Sequence, residues 1–433
     1  MADSLEQLLI SYHQPDFDRK LSALRNKITE AAVWGDDDPK MLSLRKIVSD
    51  VRTQGDAAIA EYTAKFDNVT MTPEQFRVPK EQLAEAHKNI DSKLLDALKQ
   101  AIENVRAYQS EIFTGRSTHP GVKYTPMQRV CVCVPGASAP LPSTVIMSAV
   151  PAQVAGVKEI AVVSPPRYNS SIHPVILAVC HEIGIEEVYR IGGAQAVAAF
   201  GFGTETIRKA DMIVGPGNMW VTMAKREVFG KVAIDSIAGP SEVLVIADEN
   251  ANPAWVTADM LSQAEHAADS SAFVFTDSEQ LARNIIAELD KQIGQLERAE
   301  QTRQSLLNYS GVIVFENIEQ VIEAANDFAS EHLQIQCGAN SRAVAGKITN
   351  AGAIFIGEYT PVAVGDYWAG PSHTLPTGSS AKFFSPLSSN DFVKSTSIIE
   401  FDKQRLAANA DKIITIANVE GLGAHANSVK IRK

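Results

Sequence analysis

Apolar and polar positions divide the chain into a helical beginning and a longer part in which short strands alternate with helices. Over residues 41–67 and 93–113 apolar residues recur at helical spacing with charges between them, as in amphipathic helices. From about Gln128 the predicted strands are RVCVCV, EIAVVS, EVYRI and DMIV, then EVLVIAD, AFVFTD, GVIVF and AIFIG. Strand and helix alternation of this kind predicts parallel sheets covered by helices.

The two series of strands predict two α/β units of similar design, separated by the AGPS turn. We expect an N-terminal segment over residues 1–22, a first α/β unit over 23–237 that includes the helical beginning, a second over 238–380, and a tail over 381–433. The tail ends in a helix and a polar turn that carries Glu420 and His425. Since a lone short helix cannot bury its apolar stripe, the tail must pack on the main body or on another subunit.

Composition and charge narrow the class of partner. The chain has 433 residues, 45% of them hydrophobic, which is enough for large cores and more than one domain. The formal net charge of -11 leaves no basic surplus to neutralise phosphates, and this disfavours nucleic-acid and anionic-membrane partners. No apolar run reaches the length of a membrane span, and the first twenty residues lack the layout of a signal peptide. We therefore expect a cytoplasmic protein with a small-molecule partner.

The four cysteines fit neither paired zinc knuckles nor a disulfide framework, and this indicates a reducing compartment. Cys131 and Cys133 alternate with valines in RVCVCV. This alternation predicts that both lie on one face of a buried strand.

Glycine-rich turns follow three of the first-series strands. The GxGxxG fingerprint of dinucleotide sites is absent, but VPGASAPLPSTV, IGGAQA and VGPGN each stand at the carboxyl end of a predicted parallel strand. That edge is where open α/β sheets bind ligands. Any one of these turns is equally compatible with a tight connection. Gln195 and Asn218 favour binding, because an amide can both donate to and accept from a ribose hydroxyl or a nicotinamide.

Four histidines in the last two-fifths of the chain stand in polar contexts, SQAEHAADS, SEHLQIQ, GPSHTLPT and EGLGAHANS. Polar surroundings of this kind indicate metal binding and acid/base chemistry rather than packing. Gln263 and His266 are three positions apart, so a helix would place both on one face, where an amide oxygen and an imidazole could bind one cation. His266 taken alone is also compatible with a histidine on a helix surface.

Taken together, these motifs resemble the histidinol dehydrogenase family, the NAD-dependent zinc enzymes of the last step of histidine biosynthesis. The resemblance lies in VPGASAPLPSTVIM, GGAQAVAAFGFGTE, VGPGN, AIDSIAGPSEVLVIAD, LSQAEHAADS, SEHLQIQ, VGDYWAGPSHTLPTG and EGLGAHA, in one order from residue 134 to residue 426. It implies an oxidation of L-histidinol to L-histidine through L-histidinaldehyde, with Zn²⁺ and NAD as cofactors. It also implies two Rossmann-like domains of an incomplete dinucleotide-binding type and a homodimer with shared active sites, into which the tail is exchanged.

The resemblance also implies the metal ligands, which are Gln263, His266, Asp366 and His425, the last of them from the neighbouring subunit. Two imidazoles, a carboxylate and an amide oxygen suit a borderline cation such as zinc. The sequence does not choose among zinc, manganese and cobalt.

Glu331 and His332 are the acid/base pair that the resemblance implies. Histidine titrates near neutrality, which suits the base of both hydride steps, and a carboxylate suits the activation of water that hydrates the aldehyde. We accordingly expect His332 to act in the oxidations and Glu331 in the hydration. Without the other motifs, the pair could equally be the end of a helix.

Substrate and cofactor contacts follow from the same resemblance. Glu420 is expected to bind the substrate ammonium, with Ser241, His373, His332 and the metal ligands around the rest of L-histidinol. Cys133, Gln195 and Asn218 are the expected NAD contacts. The family often has a tyrosine where this chain has Cys133, so we expect weaker or altered nucleotide contact there.

Three other functions compete with this interpretation. A related zinc and NAD dehydrogenase could act on another polyol such as a sulfonated propanediol, although a sulfonate prefers a cation and Glu420 offers a negative charge. A zinc hydrolase with Glu331 as its base would leave the glycine turns unexplained. A catalytically silent homologue would not need all four ligands together with Glu331 and His332.

Overall fold

The computed structural model describes residues 4–30, 34–136 and 139–433. Contacts divide the chain into two compact units. The larger unit comprises Met1–Phe113 and Pro126–Phe392, and the smaller comprises Thr114–Thr125 and Val393–Lys433. In the described ranges, no helix combines the length and the apolar composition that crossing a bilayer requires.

Helices make up much of both units. The larger unit contains α1 (Phe17–Thr29), α2 (Pro39–Gln54), α3 (Asp56–Asp67), α4 (Lys80–Asn89), α5 (Ser92–Ile112), α6 (Pro142–Val154), α7 (Pro174–Glu182), α8 (Gly193–Phe202), α9 (Met219–Val228), α10 (Pro253–Ala264), α11 (Glu279–Ile293), α12 (Ala299–Tyr309), α13 (Ile318–Phe328), α14 (Ser341–Ala345) and α15 (Val362–Tyr367). The smaller unit contains α16 (Lys403–Val419) and α17 (Gly423–Lys430). Short 3-10 helices cover Leu5–Leu8, Pro73–Gln75, Thr114–Arg116, Gly338–Asn340, Ser380–Lys382 and Ser389–Phe392.

The strands fall into two parallel sheets and one two-stranded sheet. They are β1 (Leu9–Ser11), β2 (Val122–Pro126), β3 (Arg129–Cys133), β4 (Glu159–Val163), β5 (Glu187–Tyr189), β6 (Met212–Val214), β7 (Ala233–Ile234), β8 (Glu242–Ala247), β9 (Ser271–Thr276), β10 (Gly311–Val314), β11 (His332–Gln336), β12 (Ala353–Ile356) and β13 (Val393–Ser397). β13 pairs with β2 in the two-stranded sheet. The α/β fold with parallel sheets that the sequence predicts is thus confirmed.

The first sheet has the strand order β5-β4-β3-β6-β7, and its pairs are parallel. The chain enters at β3 in the middle, moves outward through β4 to β5, and then crosses to β6 and β7 on the other side. The reversal of direction between β3 and β6 creates a crevice at the carboxyl ends of the strands, where sheets of this type bind ligands. Every residue of β3 is buried, and Cys131 and Cys133 contribute to the same apolar cluster, as predicted.

The second sheet has the order β1-β10-β9-β8-β11-β12, again with parallel pairs. Val243 and Val245 of β8 pack in one apolar cluster, whereas Leu244 and Ile246 pack in another. Alternate residues thus enter two different cores, which explains why the strand is apolar at successive positions instead of alternating with polar residues.

Two strands of the second sheet were not predicted. β1 lies near the N-terminus, ahead of the predicted helices, and pairs with β10 about three hundred positions later. α1 accompanies it, because Phe17 packs edge-on against Phe315 with ring centroids 5.6 Å apart. β11 contains His332 and the two glutamines of HLQIQ. Because these side chains are polar, the sequence did not predict a strand here, although all five residues are buried.

The helical stretch over residues 41–67 is broken into two helices at Gly55. The glycine has φ +58°, a left-handed conformation that disfavours side chains, and a Cβ there would lie 2.1 Å from a carboxylate oxygen of Glu205. Asp38 caps the first helix by accepting a hydrogen bond from the amide of Lys40. Helical periodicity predicted both elements but not the turn between them.

Candidate active site

A cavity of about 430 Å³ opens at the carboxyl edge of the first sheet. We call it the carboxyl-edge cavity. Its lining comes from the ends of β3 and β4, the loop after β6 and the starts of α8 and α9, with Phe66 and Asp67 from the end of α3. The three glycine turns contribute Gly136, Gly192, Gly193 and Gly217. Residues 137 and 138 of the first turn lie outside the described residues.

Cys133, Gln195 and Asn218, the three residues predicted to contact the cofactor, all line this cavity. Gln195 is 1% exposed, and its Oε1 has no hydrogen-bond partner within the protein. Gly193 has φ +67°, and a Cβ on it would approach that oxygen to 2.9 Å. A buried acceptor without a partner is costly, so Gln195 is the lining group with the clearest unused capacity to bind a ligand.

Asn218 and Cys133 also have roles within the fold. The Oδ1 of Asn218 caps α9 by accepting from the amides of Trp220 at 3.1 Å and Val221 at 3.3 Å, so the NH₂ of this amide is its remaining donor group. Cys133 is only 5% exposed at the end of β3. A hydrogen bond with Cys131 lowers the pKa of the Cys133 thiol against the opposing effect of burial.

The predicted acid/base pair lies at the amino edge of the second sheet, whereas the cavity lies at the carboxyl edge of the first. Glu331 directly precedes β11, and His332 is the first residue of this strand, paired in register with Val243 at the start of β8. Both side chains are buried, with 6% of Glu331 and 5% of His332 exposed. The pair thus stands at the amino ends of parallel strands, away from any carboxyl-edge crevice of that sheet.

Glu242, the first residue of β8, is bound reciprocally to Glu331. The Glu242 amide donates to Glu331 Oε2 at 2.8 Å, and Glu242 Oε1 accepts from the Glu331 amide at 3.0 Å and from the Gly378 amide at 3.1 Å. Glu242 is completely buried, and its Oε2 has no partner. Burial and the nearby charge of Glu331 raise the pKa of Glu242 to about 8.

The contacts of His332 fix the tautomer of its neutral form. Its Nδ1 lies 3.0 Å from the carbonyl oxygen of Glu242, and because a carbonyl only accepts, Nδ1 carries a proton. Nε2 has no hydrogen-bond partner and lies 3.8 Å from Oδ1 of Asp366. Burial lowers the pKa of His332, but the charges of Glu331 and Asp366 outweigh burial and raise it to about 10.

Asp366 lies near the end of α15, and further residues predicted for the site lie around it. Burial raises the pKa of its carboxyl, but His332, His373 and His266 together lower it below its ordinary value. His373 Nε2 lies 3.3 Å from the hydroxyl of Ser143 on α6, the helix that follows β3. Burial lowers the pKa of the His373 imidazole. Glu242, Glu331, His332 and Asp366 are called the acid/base cluster below.

The expectation that Gln263 and His266 share a helix face is wrong, because α10 ends at Ala264 and His266 lies in the turn beyond it. The turn still keeps the two residues adjacent, since the His266 amide donates to the Gln263 carbonyl at 3.2 Å. His266 Nδ1 lies 2.9 Å from the carbonyl oxygen of Ser262, which leaves Nε2 as the free acceptor.

The remaining predicted residues lie in two places. Ser241 directly precedes β8, beside Glu242, and its carbonyl accepts from the Ser271 amide at 3.0 Å. Glu420 follows α16 and His425 lies in α17, both exposed and both in the smaller unit. The larger unit by itself therefore brings together Glu331, His332, Asp366 and His373, but neither of these two tail residues.

Sequence reasoning missed two groups near the cluster. Glu242 was overlooked beside Ser241, although a charge at the first position of an apolar run was a usable signal. The second group is a clamp in which Asp259 of α10 accepts from the amides of Gln334 and Gln336, each at 2.7 Å. Burial raises the pKa of Asp259 to about 6. The clamp ties β11, which begins at His332, to α10, which carries Gln263.

The side chains around Asp366 include part of the predicted metal site. Within the described ranges, no three His, Cys, Asp or Glu side chains gather closely enough to hold one. Three of the predicted zinc ligands lie in the larger unit. Only His266 and Asp366 belong to these residue types, because Gln263 is an amide. That amide is 1% exposed and its NH₂ has no hydrogen-bond partner, whereas a metal ion would bind its oxygen. The chemistry of these three ligands fits zinc, and the fourth predicted ligand, His425, lies in the smaller unit.

Comparisons with known proteins point to one family. The family model described as histidinol dehydrogenase matches residues 36–433. A histidinol dehydrogenase of Oceanobacillus iheyensis is 45% identical over 98% of each chain, and that of Bacillus subtilis is 46% identical over 90% of this chain and 92% of its own. The crystal structure of histidinol dehydrogenase from Elizabethkingia anophelis has a TM-score of 0.88 at 36% identity and covers 98% of this chain and 97% of its own.

The matched segment contains every strand of the two parallel sheets except β1. It also contains the acid/base cluster and every site residue predicted from the sequence. Since both the family model and the relatives extend over most of the chain, this protein belongs to the histidinol dehydrogenase family.

Proposed function

We propose that this protein is an NAD-linked, zinc-dependent histidinol dehydrogenase, which oxidises L-histidinol through L-histidinaldehyde to L-histidine in the last step of histidine biosynthesis. The observation that carries the proposal is the buried pair of Glu331 and His332, in which Nε2 of the imidazole is aimed at Asp366 and has no partner. A dehydrogenase needs such a base beside its substrate, because each oxidation releases a proton as well as a hydride.

His332 is the proposed base of both oxidations. The Glu242 carbonyl holds the proton of Nδ1, so the free Nε2 is the atom that takes the hydroxyl proton of the substrate. In the single chain two carboxylates raise the pKa of this imidazole. With Asp366 committed to a cation, one of these charges is offset and the imidazole moves toward its proton-accepting form.

Glu331 is the proposed group that activates water for hydration of the aldehyde. Its Oε2 accepts from the Glu242 amide at 2.8 Å and lies 3.4 Å from Nδ1 of His332. These contacts fix the carboxylate beside the imidazole. A water molecule could therefore give its proton to Glu331 while His332 holds the proton of the preceding oxidation. Glu242 is proposed to position both, through its amide and its carbonyl.

Gln263, His266 and Asp366 are the proposed ligands that the larger unit offers to zinc. When bound, a divalent zinc ion would act as a Lewis acid that holds the amino alcohol by its polar atoms. The Nε2 of His266 is not engaged by the fold, and Gln263 would offer its amide oxygen.

The carboxyl-edge cavity is the proposed NAD site, with Gln195 and Asn218 offering amides to the nucleotide and Cys133 at its floor. When bound, NAD would accept the hydride of each oxidation. The glycine turns support this assignment, because backbone without side chains permits close approach of a pyrophosphate at the starts of α8 and α9.

His425 and Glu420 of a partner subunit are proposed to complete the site in a homodimer. Several large apolar side chains of the smaller unit are exposed, among them Ile399, Ile416, Val419 and Ile431, and such surface is typical of an interface. Mixing a His425→Asn variant with an Asp366→Asn variant should restore part of the activity that each loses. Failure of every mixture would count against the shared site.

The proposed setting is the cytoplasm, with a small-molecule substrate and neither a nucleic-acid nor a membrane partner. The net charge of -11 supports the absence of polyanionic partners.

The proposed function is tested by mixing purified protein with zinc, NAD and L-histidinol and following NADH absorbance. We expect NADH formation that stops when a chelator removes the metal and returns with zinc. A sulfonated propanediol should give no NADH. Zinc-dependent product without NADH would instead support a hydrolase.

A further inference from the structure

The carboxyl-edge cavity lacks the usual recognition group for the adenosine ribose at the position where the fold predicts it. In a strand order of this kind, the loop after the second strand carries an Asp or Glu that binds the ribose hydroxyls of NAD, or an Arg nearby accommodates the 2′-phosphate of NADP. The second strand here is β4, and the charged residue that follows it in the cavity lining is Arg167. By position alone, this arginine would favour NADP.

The arginine is not free, however, because a carboxylate from another part of the chain holds it. Arg167 Nε donates to Oδ1 of Asp67 at 2.8 Å, and Nη2 lies 3.4 Å from the Phe66 carbonyl. Asp67 is the last residue of α3, in the helical beginning of the chain. Its side chain is 3% exposed whereas that of Arg167 is 41% exposed. The carboxylate is thus largely buried and held by the guanidinium, and both side chains contribute to the cavity lining.

Asp67 and Arg167 carry the two charges on the described part of the cavity wall, since every other lining side chain there is neutral. Phe66 and Ile47 lie in the same lining and offer apolar surface to a base. This group of residues therefore combines surface for an adenine with an ion pair of zero net charge. A hydroxyl can donate to the carboxylate and accept from the guanidinium, so a ribose diol suits the pair.

A 2′-phosphate would meet a different environment. Its negative charge would face the fixed carboxylate of Asp67, while the charge of Arg167 is already neutralised by that carboxylate. We propose that Asp67 and Arg167 form the adenosine-ribose end of the cavity and select NAD over NADP, with Asp67 preventing Arg167 from serving a 2′-phosphate. This inference rests on the proposed function only in taking the ligand to be a dinucleotide.

The test uses binding of adenosine fragments, which needs no turnover. The affinities of AMP and of adenosine 2′,5′-bisphosphate are measured by calorimetry for the wild type, Asp67→Asn, Arg167→Gln and the double variant. The wild type should prefer AMP. Asp67→Asn should shift the ratio of affinities toward the bisphosphate by about tenfold, since it frees the guanidinium, and adding Arg167→Gln should cancel the shift. Asp36→Asn, which breaks the surface pair with Arg45, is the matched control and should leave the ratio unchanged.

An unchanged ratio in folded Asp67→Asn would overturn the proposal. If that variant does not fold, Arg167→Gln decides, because it leaves an unpaired carboxylate and should strengthen the preference for AMP about tenfold. Equal preference in that variant and the wild type would be equally contradictory.

Turnover separates this inference from the proposed function. Asp67→Asn should raise kcat/KM with NADP relative to NAD by about tenfold when L-histidinol is oxidised. Absence of NADH from the wild type would contradict the proposed function, while the fragment affinities would still decide the role of Asp67 and Arg167.

Discussion

The two sheets are built alike, but the sites at their edges are built by opposite means. At the carboxyl edge of the first sheet, glycine turns remove side chains, and the two charges of the cavity wall are paired with each other. At the amino edge of the second sheet, Glu242, Glu331 and His332 are buried, with Asp366 beside them. A binding site needs room and neutral donors, whereas a reaction site needs groups whose protonation is poised, and burial of charge provides that.

The difference predicts a separation of kinetic effects. Changes in the acid/base cluster should lower kcat with little effect on nucleotide affinity, and changes in the cavity wall should alter nucleotide affinity with little effect on kcat.

The largest effect is expected from His332→Asn. Removal of the base should lower kcat by about 10³-fold, while NAD affinity and zinc content remain close to the wild type. His87→Asn removes a histidine paired with Glu182 far from the cluster and serves as the control. Loss of zinc from His332→Asn would show that the residue holds the metal rather than the proton.

Glu331→Gln is the next test and separates the two halves of the reaction. It should slow the oxidation of L-histidinaldehyde by about 10²-fold, because hydration must precede that step. The first oxidation, measured in a single turnover with L-histidinol, should change less. Equal slowing of both steps would remove the specific hydration role.

Burial of Glu242 in the acid/base cluster should make the free energy of unfolding depend on pH. Its pKa is raised to about 8 in the folded protein from an ordinary value of 4.5. The folded state therefore binds the proton more tightly, so the free energy of unfolding should fall as pH rises from about 4.5 to about 8. Glu242→Gln keeps the acceptor for the Glu331 and Gly378 amides and should flatten this decline by about 1–3 kcal/mol. Denaturant unfolding at pH 5 and pH 8.5 measures it.

Glu242→Ala provides the contrast to that variant. It leaves the buried Glu331 amide and the partly buried Gly378 amide without an acceptor, and should be less stable than Glu242→Gln by about 2–4 kcal/mol at all pH values. Identical unfolding curves for wild type and Glu242→Gln across the pH range would contradict the assigned burial of a protonated carboxyl.

Cys133→Tyr is expected to have the smallest effect. An aromatic ring at the end of β3 has room only toward the carboxyl-edge cavity, because Cys133 is otherwise enclosed in the core. It should lower the KM for NAD by about threefold, the value of a modest aromatic contact, with kcat unchanged. An unaltered KM would show that Cys133 does not limit the affinity for NAD.

The sequence predicted the parts of the fold that follow local rules. The eight strands predicted from apolar runs are present, because each run is rich in β-forming apolar residues and bounded by turns. β1 and β11 were missed for reasons that are not local. β1 is only three residues long and pairs with β10 far along the chain, and the glutamines of β11 are buried only because Asp259 bonds to them.

The same division applies to the candidate site. Gln195 and Asn218 could be placed together from the sequence, because the carboxyl ends of parallel strands meet at one edge, whereas Cys133 was implied by the family resemblance. The contact between Glu242 and Glu331 and the Asp67–Arg167 pair could not be predicted, since each joins segments about ninety or a hundred positions apart. Helical spacing failed for His266 because α10 ends before it.

The central claim is that one buried pair serves two successive oxidations of one substrate. The most direct test is to let the zinc-loaded protein exhaust a known amount of L-histidinol with excess NAD and to count the NADH formed. Two NADH per L-histidinol, with L-histidine as the product, is the predicted result. A single NADH with accumulation of the aldehyde, or full turnover in protein stripped of metal, would contradict it.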